Sequence, residues 1–268
     1  MKIGVATAVY ITNDQHYKMA VETLDSISSE KHEVLFAGVL NVATLKDEWE
    51  APFSSRGELL PYEENNVSRA WNRGISHLLN RGCEYVFVPN LDIVLQPGAL
   101  DRLVEHAGHD PANAALLWTM ANWHYRWDIN ENPGIAHAPI IDNWVPYPHF
   151  SAFMVDHRLF EEVGPFDENF RPAYNEDIDM HWRIKLAGKE ALQYEGARFY
   201  HYGSITIRSD PALNEANNAT HAAGNLYFTQ KWGFKPATAD DPFTDGMYRF
   251  PFNDPARAGE ERKFMSTW

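Results

Sequence analysis

The chain has 268 residues, 44% of them hydrophobic, with nine Trp, twelve Tyr, fifteen Phe and a net charge of −14. That apolar mass suits one large α/β domain or two small ones, and the acidic balance makes nucleic acid and anionic membrane surfaces poor partners while suiting a divalent cation. The one cysteine, Cys83, excludes an intrachain disulfide framework. No apolar run reaches the ~18 residues of a membrane span and no signal-peptide pattern is visible, so a cytoplasmic setting is the expectation.

"KIGVATAVY" opens the chain as a buried β-branched run, the pattern of a parallel strand. "DQHYKMAVETLDSISSE" follows with helical spacing at Met19, Val21, Leu24 and Ile27. "EVLFAGVLNVA" reads as a second buried strand and "ELLPYEENN" as a short third. "VSRAWNRGISHLLNRG" is a helix closed by Gly82, "EYVFVPNLDIVL" a strand running into a loop, and "QPGALDRLVEHAGH" a helix with Pro97 in its first turn. "AALLWTMA" is a further strand. This alternation predicts an α/β fold with an open, mostly parallel, Rossmann-like sheet flanked by helices.

The alternation breaks between Asn122 and His149, a stretch with four prolines and Trp123, Trp127 and Trp144. A long aromatic loop is often functional, although its rings could equally pack the second half of the domain. "HFSAFMVDHRLFEEVG" then reads as a strand and short helix, "EALQYEGARFYHYGS" as a strand and turn, and "LNEANNATHAAGNLYFTQKWG" as a helix ending at Gly233. The division expected is a first half (1–120), a second half of the same domain (121–233) and a tail (234–268).

Ligands of open parallel sheets bind beyond the carboxyl ends of the strands. Asn41, Asn90 and Asp92 stand at such ends. Dinucleotide and P-loop glycine motifs are absent after the first strand. Asp92 could hold Mn²⁺ or Mg²⁺ while leaving positions open for phosphate oxygens, and His201 could join it. As a lone turn residue Asp92 has a plainer reading, as a turn former. The helix after "RPAYN" opens on Glu176, Asp177 and Asp179; such acids can simply complement a helix dipole.

Four stretches in order resemble family 2 glycosyltransferases, in particular the rhamnosyltransferase-like subgroup. "NNVSRAWNRGI" resembles an Asn-x-Gly stretch, with Ser68 in place of a Gly. "VFVPNLDIVLQPGAL" is similar to the strand bearing an Asp-x-Asp motif, with Asn90 in place of the first Asp. "FSAFMVDHRLFEEVGPFDENFRPAYNEDIDMHWRIKLAG" resembles the acceptor-side signature, and "FYHYGS" the histidine segment after it. The resemblance spans residues 3 to 233. It implies a GT-A fold, a nucleoside-diphosphate-sugar donor, a carbohydrate or other hydroxyl acceptor, and Mn²⁺ or Mg²⁺. It implies Asp177 as general base with Glu176 beside it, and Asp92 with His201 at the metal. Ala8, Tyr10, Asn41, Asn66, Asn72, Asn90 and Asp92 are expected around the donor, and Trp123, Trp127 and Trp144 on the acceptor side. A binding protein without catalysis and a nucleotidyltransferase are the alternatives; a homo-oligomer is left open.

Overall fold

A computed structural model describes residues 1–62, 64–110, 114–123, 144–145, 150–203 and 211–233. The first half alternates as expected: β1 (Lys2–Val9), α1 (Asp14–Ser26), β2 (Glu33–Leu40), α2 (Asp47–Ser54), β3 (Glu58–Leu60), α3 (Val67–Asn80), β4 (Tyr85–Pro89), β5 (Ile93–Leu95), α4 (Ala99–Gly108) and β6 (Ala115–Trp123). The second half adds β7 (Trp144–Val145), β8 (Ala152–Asp156), α5 (Leu159–Glu162), α6 (Glu176–Leu186), β9 (Glu190–His201) and α7 (Pro211–Trp232). The tail expected at 234–268 lies outside the described residues.

Every described strand joins one sheet, ordered β3-β2-β1-β4-β8-β6-β9-β5, with β7 pairing β9 as a branch. The sheet is parallel from β3 through β4 and again between β6 and β9. β8 enters antiparallel between β4 and β6, and β5 pairs antiparallel with β9. The two sequence halves therefore share one sheet. The chain leaves β1 toward β2 on one side and returns to β4 on the other. This reversal opens a crevice at the strands' carboxyl ends.

Side chains alternate across the strands and feed a core on each face. Ile3, Val5 and Met154 meet Leu24 of α1, Phe53 of α2 and Leu103 of α4. Ala6, Phe153 and Val155 meet Trp71, Ile75 and Leu78 of α3 and Met180 and Ile184 of α6. α3 sits close to the sheet because Gly74 faces Ala6; a Cβ on Gly74 would stand 2.9 Å from that of Ala6. A third, smaller cluster of Phe170, Trp182, Phe228 and Trp232 holds α7 against α6.

α2 is an element the sequence pattern hides. Pro52 lies inside its eight residues, where the ring normally argues against a helix. Trp49 and Phe53, four residues apart and both buried, secure it. Pro97 lies just outside α4, whose first residue is Ala99 and whose N-cap is Gly98 in left-handed backbone.

Candidate active site

A cavity of about 430 Å³ lies in the crevice beyond β1, β2 and β4, within the usual size of small-molecule sites. Ala8 and Tyr10 of the β1 end, Asn41 of the β2 end, and Asn90 and Asp92 after β4 all line it. Thr7 Oγ1 donates to Pro89 O at 3.0 Å, tying the β1 and β4 ends together. Tyr10 is 43% exposed, which leaves its ring face open to a planar ligand. Asn41 is buried and its amide orientation is fixed: Oδ1 accepts from the Asn66 backbone N–H at 2.9 Å, and Nδ2 donates to Asn65 Oδ1 at 3.1 Å.

Asp92 and His201 are brought together by strand register. β5 pairs Ile93 with His201, and the Tyr202 N–H donates to Asp92 O at 2.9 Å. Asp92 Oδ2 then lies 3.1 Å from His201 Nε2, both side chains partly exposed. β5 is held from α1 by Thr23, whose Oγ1 donates to Ile93 O at 2.6 Å. Among the described residues no group of three His, Cys, Asp or Glu gathers as a complete metal cage. Asp92 lines the cavity and His201 stands behind it, outside the lining residues. The donor set still fits a divalent cation: a carboxylate oxygen and an imidazole nitrogen, with the remaining positions left to diphosphate oxygens and water.

Two of the seven residues expected around the donor do not line the cavity. Asn66 is fully buried and caps α3, its Oδ1 accepting from the Arg69 N–H at 3.1 Å while its Nδ2 donates to Glu168 O at 2.8 Å. Asn72 makes two bonds to the Phe166 backbone, each 2.8 Å. Their amides are occupied in fastening the 166–172 segment to α3, where Val67 N–H also meets Pro172 O at 2.9 Å.

That segment delivers Pro172, Ala173 and Tyr174 to the cavity wall. Tyr174 and Asn175 have φ of 79° and 72°. Asn tolerates the left-handed region, but a tyrosine there is uncommon and strain of this kind costs roughly 1–3 kcal/mol. α6 begins immediately afterwards. Glu176 is buried and Asp177 half-buried; neither lines the cavity itself. Burial, together with the charge of Asp177, pushes the Glu176 carboxyl well above its usual value. Burial likewise raises Asp177, whose Oδ1 accepts from the Ile178 N–H at 2.8 Å.

Asp179 and Arg183 form a buried pair at 2.9 Å. Trp123 carries the Arg198 guanidinium 4.2 Å from its ring centre. Trp144 pairs through its backbone with Tyr194 of β9, and Trp127 lies outside the described residues. Trp123 is not part of the cavity wall.

Besides the 172–174 segment, two parts of the wall that sequence reasoning missed bring polar groups from α1 and α7. His16 lines the cavity; its Nδ1 lies 3.1 Å from Thr12 Oγ1, and burial lowers its pKa against an upward pull from Asp92. Its position on the first turn of α1, beside the β1 end, was the available signal. The other part is α7, which contributes Ala216, Asn217 and Thr220. Nothing local in its sequence points there.

No protein-family model matches the sequence. A galactofuranosyl glycosyltransferase from Leishmania donovani is 24% identical over 204 residues, 62% of this chain and 46% of the relative. The crystal structure of GalNAc-T7 with UDP, GalNAc and Mn²⁺ aligns with a TM-score of 0.56 at 10% identity, covering 75% of this chain and 43% of that one. The chain thus spans less than half the length of either protein. With the mixed sheet and the crevice at its switch point, the structural match establishes a GT-A fold.

Proposed function

We propose that this protein is a metal-dependent, inverting glycosyltransferase that moves a sugar from a nucleoside-diphosphate sugar to a hydroxyl acceptor. The observation that carries the reading is the Asp92–His201 pair, 3.1 Å apart, with Asp92 on the wall of a crevice formed by the β1, β2 and β4 ends of a GT-A sheet. The relative's name and the UDP and GalNAc of the structural neighbour support a sugar-nucleotide donor, with uridine the first base to test. The order of the four family 2-like stretches supports the finer assignment.

In this reading Asp92 and His201 hold Mn²⁺ or Mg²⁺, which when bound offsets the charge gained by the departing diphosphate. Tyr10 offers a face for the base, and Asn41 and Asn90 supply amides for base and ribose. The acceptor oxygen attacks the anomeric carbon from the face opposite the diphosphate. Its bond to carbon forms as the carbon–diphosphate bond breaks, and Asp177 takes its proton. A raised carboxyl pKa moves such a group toward the range where a base works best near neutral pH. Trp123, Trp127 and Trp144 remain the proposed acceptor-side aromatics, since indole faces stack on sugar C–H surfaces.

A screen of nucleotide sugars, read as nucleoside-diphosphate release with Mn²⁺, Mg²⁺ or chelator, tests this. Release from at least one donor that chelator abolishes is expected. Metal-independent release, or none from any donor with any hydroxyl acceptor, would remove the proposal.

A further inference from the structure

α7 lies outside every motif that carries the resemblance, yet it touches the site at its most strained point. The Tyr174 ring stacks on His221, centroids 3.4 Å apart and planes 20° from parallel. The Tyr174 hydroxyl donates to Asn217, which also lines the cavity. Asn175 Nδ2 donates to Asn225 Oδ1 at 2.9 Å. Gly224 lets the helix backbone press onto the turn: a Cβ there would stand 2.8 Å from Tyr174 O and 3.1 Å from Asn175 Nδ2. These contacts all fall on one stripe of α7, residues 217, 221, 224 and 225, and all meet Tyr174 and Asn175, the two non-glycine residues with positive φ among the described residues.

A left-handed Tyr-Asn pair persists only when its surroundings over-determine it. Here the surroundings are one helix on one side and the α3 staples through Asn66 and Asn72 on the other. The turn ends where α6 begins, so its backbone sets where the Asp177 carboxylate stands relative to the cavity.

We infer that α7, through Asn217, His221, Gly224 and Asn225, is the positioning element for the Tyr174–Asn175 turn and thereby for Asp177. This rests on the reading of Asp177 as general base. These are positioning residues: they act through the turn.

The test compares Gly224→Ala, His221→Ala, Asn175→Ala and Asn175→Gly in the full chain. Three readouts are taken: hydrogen exchange of the amides at 173–178, calorimetric affinity for UDP with Mn²⁺, and turnover with the donor found in the screen. Gly224→Ala and His221→Ala are expected to speed exchange in that segment and lower kcat about tenfold or more, since small misplacements of a reacting group are costly in rate. UDP affinity should change less than about twofold, because the strand-end wall is untouched. Asn175→Gly, which adopts positive φ freely, should retain about fivefold more turnover than Asn175→Ala. A purely structural role would lower melting temperature without this split between kcat and affinity or between Gly and Ala. Wild-type exchange and kcat in both helix variants, or equal turnover of the two Asn175 variants, would overturn the inference. Should Gly224→Ala fail to fold, the exposed His221 and the Asn175 pair decide it. Should the wild-type protein transfer no sugar, the functional reading falls, and the exchange data alone decide whether α7 braces the turn.

Discussion

Lys231 Nζ lies 2.6 Å from Asp179 Oδ1 and 2.9 Å from Asp167 Oδ2, with all three side chains almost fully buried. Trp232 Nε1 and Arg183 Nε also donate to Asp179, each at 2.9 Å, and the Tyr227 hydroxyl donates to Asp167 at 2.8 Å. This network ties the end of α7 to α6 and to the segment before the strained turn. Burial lowers the Lys231 pKa against the upward pull of the two carboxylates. Burial alone would raise Asp167, but Lys231 and the Asn169 and Tyr227 hydrogen bonds hold it below its usual value.

Lys231→Met should therefore be severe. It leaves two carboxylates buried without their ammonium, and breaking a buried pair from one side costs roughly 3–5 kcal/mol. For a chain of this size the melting temperature should fall by about 10 °C. Lys31→Met, at the exposed ion pair with Glu105, should leave it unchanged. Differential scanning fluorimetry of the two variants checks the contrast, and equal effects would contradict the buried network.

Asp92→Ala tests the cation. Calorimetry of UDP with and without Mn²⁺ should show metal-enhanced binding in the wild type. In the variant that enhancement should fall by about 100-fold or more, since even residues one step removed from a metal cost 10- to 100-fold. Equal UDP affinity with and without Mn²⁺ in the wild type would remove Asp92 from the metal.

Glu176 gives a pH signature. Its carboxyl is raised by burial and by Asp177, so the folded state holds a proton that the unfolded state has already released. Stability from this group is thus greatest in acid and declines as pH rises above its ordinary value of 4.5. Glu176→Gln removes the ionisable group and keeps an acceptor oxygen. Its stability gain over wild type should be near zero below pH 4.5 and grow by up to about 1.4 kcal/mol per pH unit above it, levelling at the folded-state value. Melting temperatures from pH 4 to 8 measure this; a gain that shrinks with rising pH would contradict it.

Much of this was legible in the sequence because strands buried on both faces announce themselves as apolar runs, and "KIGVATAVY" and "EVLFAGVLNVA" became β1 and β2 within a few residues. The strand-end rule then placed Asn41, Asn90 and Asp92 at one cavity. What stayed hidden depends on partners far along the chain. The antiparallel entry of β8 between β4 and β6 is a pairing choice that no local pattern encodes. Asn66 and Asn72 read as ligand residues, but their partners Phe166 and Glu168 are about a hundred positions away and make them staples. α7 was legible as a helix, while its grip on Tyr174 and Asn175 was not, since only the folded chain brings Gly224 against that turn.

Asp177→Asn is the decisive variant for the chemistry. The Ile178 N–H donates to Asp177 Oδ1 at 2.8 Å. An asparagine can keep the first bond through its own oxygen, but then presents an NH₂ group, a donor, where the base is needed. General bases typically contribute ~10²- to 10⁴-fold in rate, so turnover should fall by at least about 100-fold while UDP affinity is kept. If Asp177 only complemented the dipole of α6, losing its charge would cost about 0.3–1 kcal/mol of stability and spare activity. Its raised carboxyl points the other way: a neutral side chain should hold or raise the melting temperature at pH 8. The two readings thus differ in sign for stability as well as in size for rate. Turnover, melting temperature and the anomeric configuration of the product, followed by NMR, separate them. Near wild-type turnover would discard the base, and retention of configuration would discard inversion with it.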